Sequence, residues 1–248
     1  MEKFNITLAE KTIEINPLYS YIKDYCKDYI IANGSELRKS DLTIYICEDD
    51  IVYERKKSKA EAVKNNTPLR NFSNEYLETL AVYRKIAEGM LDYDTLLFHG
   101  SVVAVDGEGY LFTAKSGTGK STHTRLWREY FGNKAVMIND DKPLLKITKN
   151  GVIAYGTPWN GKHKLGENSS ALLKAICVLE RDLTNHITSV EKSEIYPMLI
   201  QQVYRPKDAV KLLKTMELVD VMAKNVKLYK LGCNMESNAV LTAYNGMK

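Results

Sequence analysis

At 248 residues the chain has room for one large domain or two small ones, and for a real buried core. Hydrophobic residues make up 44% and charged residues 27%, the balance of a soluble globular protein, and a net charge of +4 with no basic stripe argues against nucleic acid as a partner. No apolar stretch approaches a membrane span, Met1 to Glu10 has no export-signal core, and neither Cys26, Cys47, Cys177 and Cys233 nor the histidines have metal-ligand spacing. A reducing, cytoplasmic setting is therefore expected, without zinc or thiol redox chemistry.

The chain starts with strand-like segments at Phe4 to Leu8 and Leu42 to Cys47. The basic run Arg55-Lys56-Lys57-Ser58-Lys59 reads as a solvated surface. Asn65-Asn66-Thr67-Pro68 signals a loop, and Ser73 then suits a helix N-cap, with Tyr76, Leu80, Tyr83, Ala87 and Met90 spaced along one helical face. A soft boundary near residue 92 gives two predicted domains, a small α/β one over 1–92 and a larger one over 93–248. Leu96 to Val105 reads as one buried strand, Asp106-Gly107-Glu108-Gly109 as a hairpin turn and Tyr110 to Thr113 as the returning strand. A helix is expected from Lys120 to about Tyr130, then a strand at Val136 to Ile138 and a hairpin of Leu144 to Thr148 with Val152 to Tyr155 around Asn150-Gly151. Further strands are expected at Ala175 to Leu179 and His186 to Val190. Helices are expected over Ser193 to Val203, from Pro206 in a first turn to about Ala223, and near Glu236 to Tyr244.

The chemistry concentrates in two places. Ala114-Lys115-Ser116-Gly117-Thr118-Gly119-Lys120-Ser121 follows the pattern of a phosphate-binding loop, with Ala114 in place of the first glycine. Gly117 and Gly119 let the backbone curl so that its amides face phosphate oxygens, and the helix that follows adds its own free amides. Lys120 brings a point charge, and the Ser121 hydroxyl suits Mg²⁺. The second place is Ala135-Val136-Met137-Ile138-Asn139-Asp140-Asp141, an apolar strand ending in adjacent carboxylates, which repel unless a metal or a lysine sits between them.

The hairpins make the strand feeding the loop antiparallel to its predecessor, so the expected fold is α/β, in an α+β-like arrangement, with a mixed and largely antiparallel sheet. Here a resemblance enters. Phe98-His99-Gly100, the turn at 106–109 with Tyr110-Leu111-Phe112, the loop and Asn139-Asp140-Asp141 together resemble the catalytic domain of HPr kinase/phosphorylase, over about residues 96 to 165. The loop is also similar to that of ATP-dependent phosphoenolpyruvate carboxykinase. Thr157-Pro158-Trp159-Asn160-Gly161-Lys162 resembles a segment of the kinases that phosphorylate lasso-peptide precursors.

That resemblance implies an ATP- and Mg²⁺-dependent kinase. Asp140 would be the base that takes a proton from an acceptor hydroxyl, Asp141 and Ser121 would hold the metal, and His99 would lie near the phosphates with Lys120. Ser116, Gly117, Thr118, Gly119, Lys120, Ser121 and Thr122 would line the nucleotide's phosphates. The implied acceptor is a serine or threonine of a peptide or small protein; a small metabolite such as a free amino acid and a non-catalytic nucleotide-binding regulator are the alternatives. Thr122 stands where HPr kinase has an acidic residue, and its phosphorylase motif has no counterpart. Lys162 and His163 are weaker candidates for charge neutralisation or acceptor binding, as is Arg205 for an anion. Arg125 is as well suited to pairing with a carboxylate, and His123 and His186 read as structural or exposed. A homo-oligomer stays open.

Overall fold

Phe4–Leu8 (β1) and Lys11–Asn16 (β2) pair as an antiparallel hairpin whose turn, Ala9-Glu10, has φ values of 46° and 65°. The structure, a computed structural model, describes residues 1–31, 39–161 and 164–248. These form two compact units, Met1–Gly89 and Met90–Lys248.

In the first unit, Leu42–Tyr45 (β3) adds in parallel to β2. Ile6, Ile13, Ile15 and Ile44 are buried, next to the helices Tyr21–Tyr25 (α1), Glu48–Lys64 (α2) and Asn74–Gly89 (α3). The strand predicted over 42–47 stops at Tyr45 because Cys47 turns into the N-cap of α2, where its amide donates to Asp50 Oδ2 at 3.0 Å. Polar residues surround α2 on most sides, so apolar spacing does not betray it. Its basic run is not simply solvated: Arg55 donates to the Phe72 carbonyl at 3.0 Å and to Asn74 Oδ1 at 2.5 Å. Ser73 does cap α3, its Oγ accepting from the Tyr76 amide at 3.3 Å. The buried face of α3 is displaced from the predicted one, however. Leu77, Ala81, Val82 and Ile86 are buried, whereas Tyr76 is 37% exposed. Polar burial sets this rotation, since Arg84 must reach Asp50 at 2.8 Å and Glu54 at 2.6 Å.

The second unit is a mixed sheet of nine strands. In chain order its elements are β4 (Thr95–Leu97), β5 (Ser101–Val105), β6 (Glu108–Thr113), α4 (Lys120–Phe131), β7 (Ala135–Asn139), β8 (Leu144–Thr148), β9 (Gly151–Tyr155), β10 (Ser170–Arg181), β11 (His186–Ser189), α5 (Lys192–Gln202), α6 (Ala209–Asn225), β12 (Lys227–Cys233) and α7 (Asn238–Met247). The apolar run predicted as a single strand over 96–105 breaks at Phe98-His99-Gly100 into β4 and β5, which pair with different partners. The hairpin after β5 forms, but its turn is only Asp106 and Gly107, both at positive φ, and Glu108 and Gly109, expected in the turn, already pair within β6. In the β8–β9 hairpin, Lys149 and Asn150 span the turn and Gly151 opens the returning strand. Pro206 precedes its helix instead of sitting in its first turn: α6 begins at Ala209, and Asp208 caps it by accepting from the Lys211 amide at 2.9 Å. The sequence pattern did not announce β12.

The two faces of the main sheet bury different residues. Val102, Ala104 and Leu111 pack with the apolar side chains of α5 and α6, while Val103, Val105, Tyr110 and Phe112 pack with Trp127 of α4 and Val240, Ala243 and Met247 of α7. Trp127 meets Tyr110 and Phe112 at ring separations of 5.0 and 5.1 Å. Each large apolar side chain taken fully from water contributes roughly 1.5–3 kcal/mol, so α4 is firmly seated.

Strand β10 is the fork of the sheet. One edge pairs with β6 in parallel; the other pairs with β9 over Ser170 to Leu172 and with β12 over Ala175 to Arg181. Leu96, Leu145, Val152 and Ala154 of the β4–β8–β9 leaf share a core with Val102, Leu111 and Ile138 of the main strands. The leaf therefore folds back over the main sheet.

Candidate functional site

Strand direction gathers the candidate residues. β5 runs antiparallel to both β6 and β7, so β6 and β7 run the same way, and β10 and β12 are parallel to β6. Four strand ends consequently share one edge: the loop after Thr113, the turn after Asn139, Arg181-Asp182, and Cys233-Asn234-Met235. His99-Gly100, which enters β5, lies at the same edge.

The loop from Ala114 to Gly119 leaves β6 and enters α4 directly. Gly117 and Gly119 have φ of 79° and 124°, with no atom within 4 Å of where a Cβ would stand. An L side chain would be strained at both positions by conformation alone. Lys115, Ser116 and Gly117 are exposed, as is Ser121 in the first turn of α4. Lys120 folds back so that Nζ approaches the Ala114 carbonyl at 3.4 Å. Burial lowers its pKa, the charge of Lys142 lowers it further, and Asp141 opposes both.

The acidic turn is held by Asn139, which is fully buried. Its Oδ1 accepts from the amides of Asp141 at 2.9 Å and Lys142 at 2.6 Å, and its Nδ2 donates to Thr157 Oγ1 at 3.1 Å. Thr157 Oγ1 in turn donates to the Lys142 carbonyl at 2.8 Å. This turn sends the two carboxylates to different neighbours. Asp141 meets Lys142 at 3.2 Å and His99 Nε2 at 3.3 Å. Burial would raise its pKa, but the His99 contact and the Lys142 charge more than offset that and hold it below the usual carboxylate range. Asp140 is buried, and its Oδ1 accepts from the Gly161 amide. A Cβ at Gly161 would stand 3.0 Å from Asp140 Oδ2, so any larger residue there would have to push the carboxylate aside by a few tenths of an ångström. His99 is fixed from both sides: its amide donates to the Gln202 carbonyl at 2.7 Å and its carbonyl accepts from Thr113 Oγ1 at 3.1 Å.

His99, Lys120, Asp141 and the loop thus come together electrostatically, and Asp140 faces the 157–161 segment. Lys142 and Arg181 were missed by sequence reasoning. Burial drives the Lys142 pKa down against the pull of Asp141. Adjacency to the acidic pair was the one signal that pointed to Lys142; nothing local pointed to Arg181. Its guanidinium donates to the carbonyls of Gly117 at 2.5 Å and Thr118 at 3.2 Å. Arg125 pairs with Glu129 at 2.5 Å on the exposed side of α4. His123 is buried under Phe112, accepts from Trp127 Nε1 at 3.0 Å through Nε2, and is pushed down to about 4 by burial, so it is a neutral core imidazole. His186 and Arg205 are exposed, and Lys162 and His163 lie outside the described residues.

Beside the loop lies a cavity of about 430 Å³. Gly117–Gly119, Thr122 and His123 form one wall, and the ends of β10 and β12, including Arg181, Asp182 and Asn234, form the other. Chemically, the edge offers two lysines and the N-terminus of α4 to a polyanion, with a cavity adjoining them. Among the described residues no group of three or more His, Cys, Asp or Glu could hold a metal. The oxygen donors of Asp141, 35% exposed, and Ser121 fit a hard cation only if a ligand's own oxygens complete the shell. No described helix is long and apolar enough to cross a membrane.

The edge also depends on a close backbone crossing. A Cβ at Gly156 would collide with the Glu167 carbonyl oxygen and stand 2.8 Å from the Ile138 carbonyl. Gly156→Ala is therefore expected to cost about 3 kcal/mol of stability, seen as a lower urea midpoint. An unchanged midpoint would show that the 156–169 connection is not packed this way.

No protein-family profile matches the chain, and no curated protein matches it. Among solved structures it is similar to the HPr(Ser) kinase/phosphatase from Coxiella burnetii, with 14% identity and a TM-score of 0.32, over 60% of this chain and 95% of that one. A superposition that loose defines no correspondence between residues.

Proposed function

We propose that the chain is a phosphotransferase that binds ATP at the glycine-rich loop and passes its γ-phosphoryl group to a hydroxyl oxygen. One observation carries this reading: the loop, the mutually repelling pair Lys120 and Lys142, and the Asp140-Asp141 turn meet at one sheet edge. Two partly buried lysines whose pKa values burial lowers are groups that a polyanion would stabilise.

In this reading the loop amides and Lys120 hold the phosphates, and Lys142 adds a cation beside them. Ser121 and Asp141 would hold Mg²⁺, which when bound offsets charge on the transferred group. Asp140, fixed by the Gly161 amide, receives the acceptor's proton as the acceptor oxygen bonds to the γ-phosphorus and the bridging P–O bond to ADP breaks. His99 steadies Asp141. Catalysis of this kind is mainly positioning and electrostatics. On the motif likeness set out under Sequence analysis, the acceptor is a serine or threonine of a peptide or small protein.

The test is incubation of the full chain with γ-labelled ATP, Mg²⁺ and either a peptide pool or a metabolite pool. Label on peptides is expected. Label on small molecules would keep the transferase and replace the acceptor, while tight ATP binding without transfer to either pool would overturn the enzymatic reading.

A further inference from the structure

We propose that Arg181 is a positioning residue: from the end of β10 it latches the glycine-rich loop in a conformation that presents the Gly119 amide to phosphate. This rests on the reading of the loop as a phosphate site, and adds to it the part of the fold that sets the loop's polarity.

An anion-binding loop works only if its N–H groups face inward and its carbonyls outward. The loop enforces this by itself only in part. Gly117 and Gly119 flank Thr118, both at positive φ with open space where a Cβ would stand; the Thr118 amide donates to the Lys115 carbonyl at 3.2 Å and ties the Gly117–Thr118 peptide, but sterics do little to hold the Thr118–Gly119 peptide against rotation. If the Thr118–Gly119 unit flipped, a carbonyl oxygen would face the phosphate and repel it.

Arg181 addresses those same two units. The Gly117 carbonyl shares a peptide plane with the Thr118 amide, and the Thr118 carbonyl shares one with the Gly119 amide. In a trans peptide the C=O and N–H point in opposite directions. By taking both carbonyls, the guanidinium turns both amides away from itself: the Thr118 amide meets the Lys115 carbonyl, and the Gly119 amide is left for phosphate. Its planar fork supplies two parallel donors, which a lysine cannot reproduce. The side chain is exposed, belongs to the wall of the adjoining cavity, and comes from a strand hydrogen-bonded to β6, which feeds the loop. That pairing fixes the height of Arg181 relative to the loop. The charge it brings also favours a polyphosphate.

The test is calorimetric titration of the full-length wild-type chain, Arg181→Gln, Arg181→Lys and Lys120→Ala with ATP and with inorganic tripolyphosphate. Loss of two charge-assisted hydrogen bonds that set the loop is expected to weaken both ligands about tenfold to a hundredfold in Arg181→Gln, with an unchanged melting temperature. Arg181→Lys is expected to recover only part of that loss. Millimolar guanidinium should restore binding in Arg181→Gln and do nothing for Lys120→Ala. The latch is wrong if Arg181→Gln binds tripolyphosphate within about twofold of wild type, if guanidinium restores nothing, or if the loss comes with a lower melting temperature. If the wild-type chain takes up neither ligand, the phosphate-site reading has itself failed, and the latch with it.

Discussion

Lys120→Ala is expected to reduce phosphoryl transfer by about a thousandfold or more, the scale on which removing a fixed charge from a developing transition-state anion is felt. The geometry explains why no neighbour compensates. Lys142 lies close enough for its charge to depress Lys120, yet its ammonium is committed to Asp141 at 3.2 Å, and the Asn139 clamp holds its backbone. Removing Lys120 relieves the repulsion on Lys142 but leaves the loop side of the triphosphate without its cation. ATP affinity is expected to fall along with the rate, while the fold is retained because Lys120 makes one long contact, to the Ala114 carbonyl at 3.4 Å. The measurement is kcat and KM alongside a thermal melt. Transfer within tenfold of wild type would remove Lys120 from the chemistry.

Asp140→Asn is expected to separate binding from transfer. The amide keeps the shape of the carboxylate and can still accept from the Gly161 amide, so the turn and the segment after β9 stay in place. What is lost is the ability to take a proton, for which a decrease in kcat of about 10²- to 10⁴-fold is expected at nearly unchanged nucleotide affinity. Single-turnover transfer and ATP titration on the same preparation separate the two quantities. Near-native transfer would move the base elsewhere, and a parallel collapse of ATP binding would give Asp140 a structural role instead.

The parts of the molecule legible in the sequence are those whose chemistry is local. Gly117 and Gly119 mark a backbone that needs positive φ, Asp106-Gly107 marks a tight turn, and the apolar run into Asn139 marks a buried strand; each depends on residues a few positions apart. The break at Phe98-His99-Gly100 was illegible because both sides of it are apolar and buried, and what bends the chain there comes from afar: the carbonyls of Pro143, Gln202 and Asp141 accept the amides of Phe98, His99 and Gly100. The face of α3 was misjudged for a similar reason, since Arg84 turns it toward carboxylates on α2. In the candidate site, Lys142 looked like any lysine after an acidic pair until the Asn139 turn set its direction. Arg181 was invisible because its partners are carbonyl oxygens, which carry no sequence identity.

The connection between β9 and β10 has a neck. Tyr155 faces Ser170 in the ladder, and the Gly156 amide donates to the Ser169 carbonyl at 2.9 Å, so both ends of the 156–169 stretch are tied before it departs. A tied loop can grow cheaply: doubling its length costs roughly 0.6 kcal/mol in closure entropy, without disturbing strand register. As long as Thr157 and Gly161 keep their bonds to the acidic turn, the rest of this stretch can therefore drift in length and side-chain character between descendants of this fold, while the proposed phosphate grip on β6 and β10 is inherited intact. Substrate choice and phosphate donor would then evolve as separable traits.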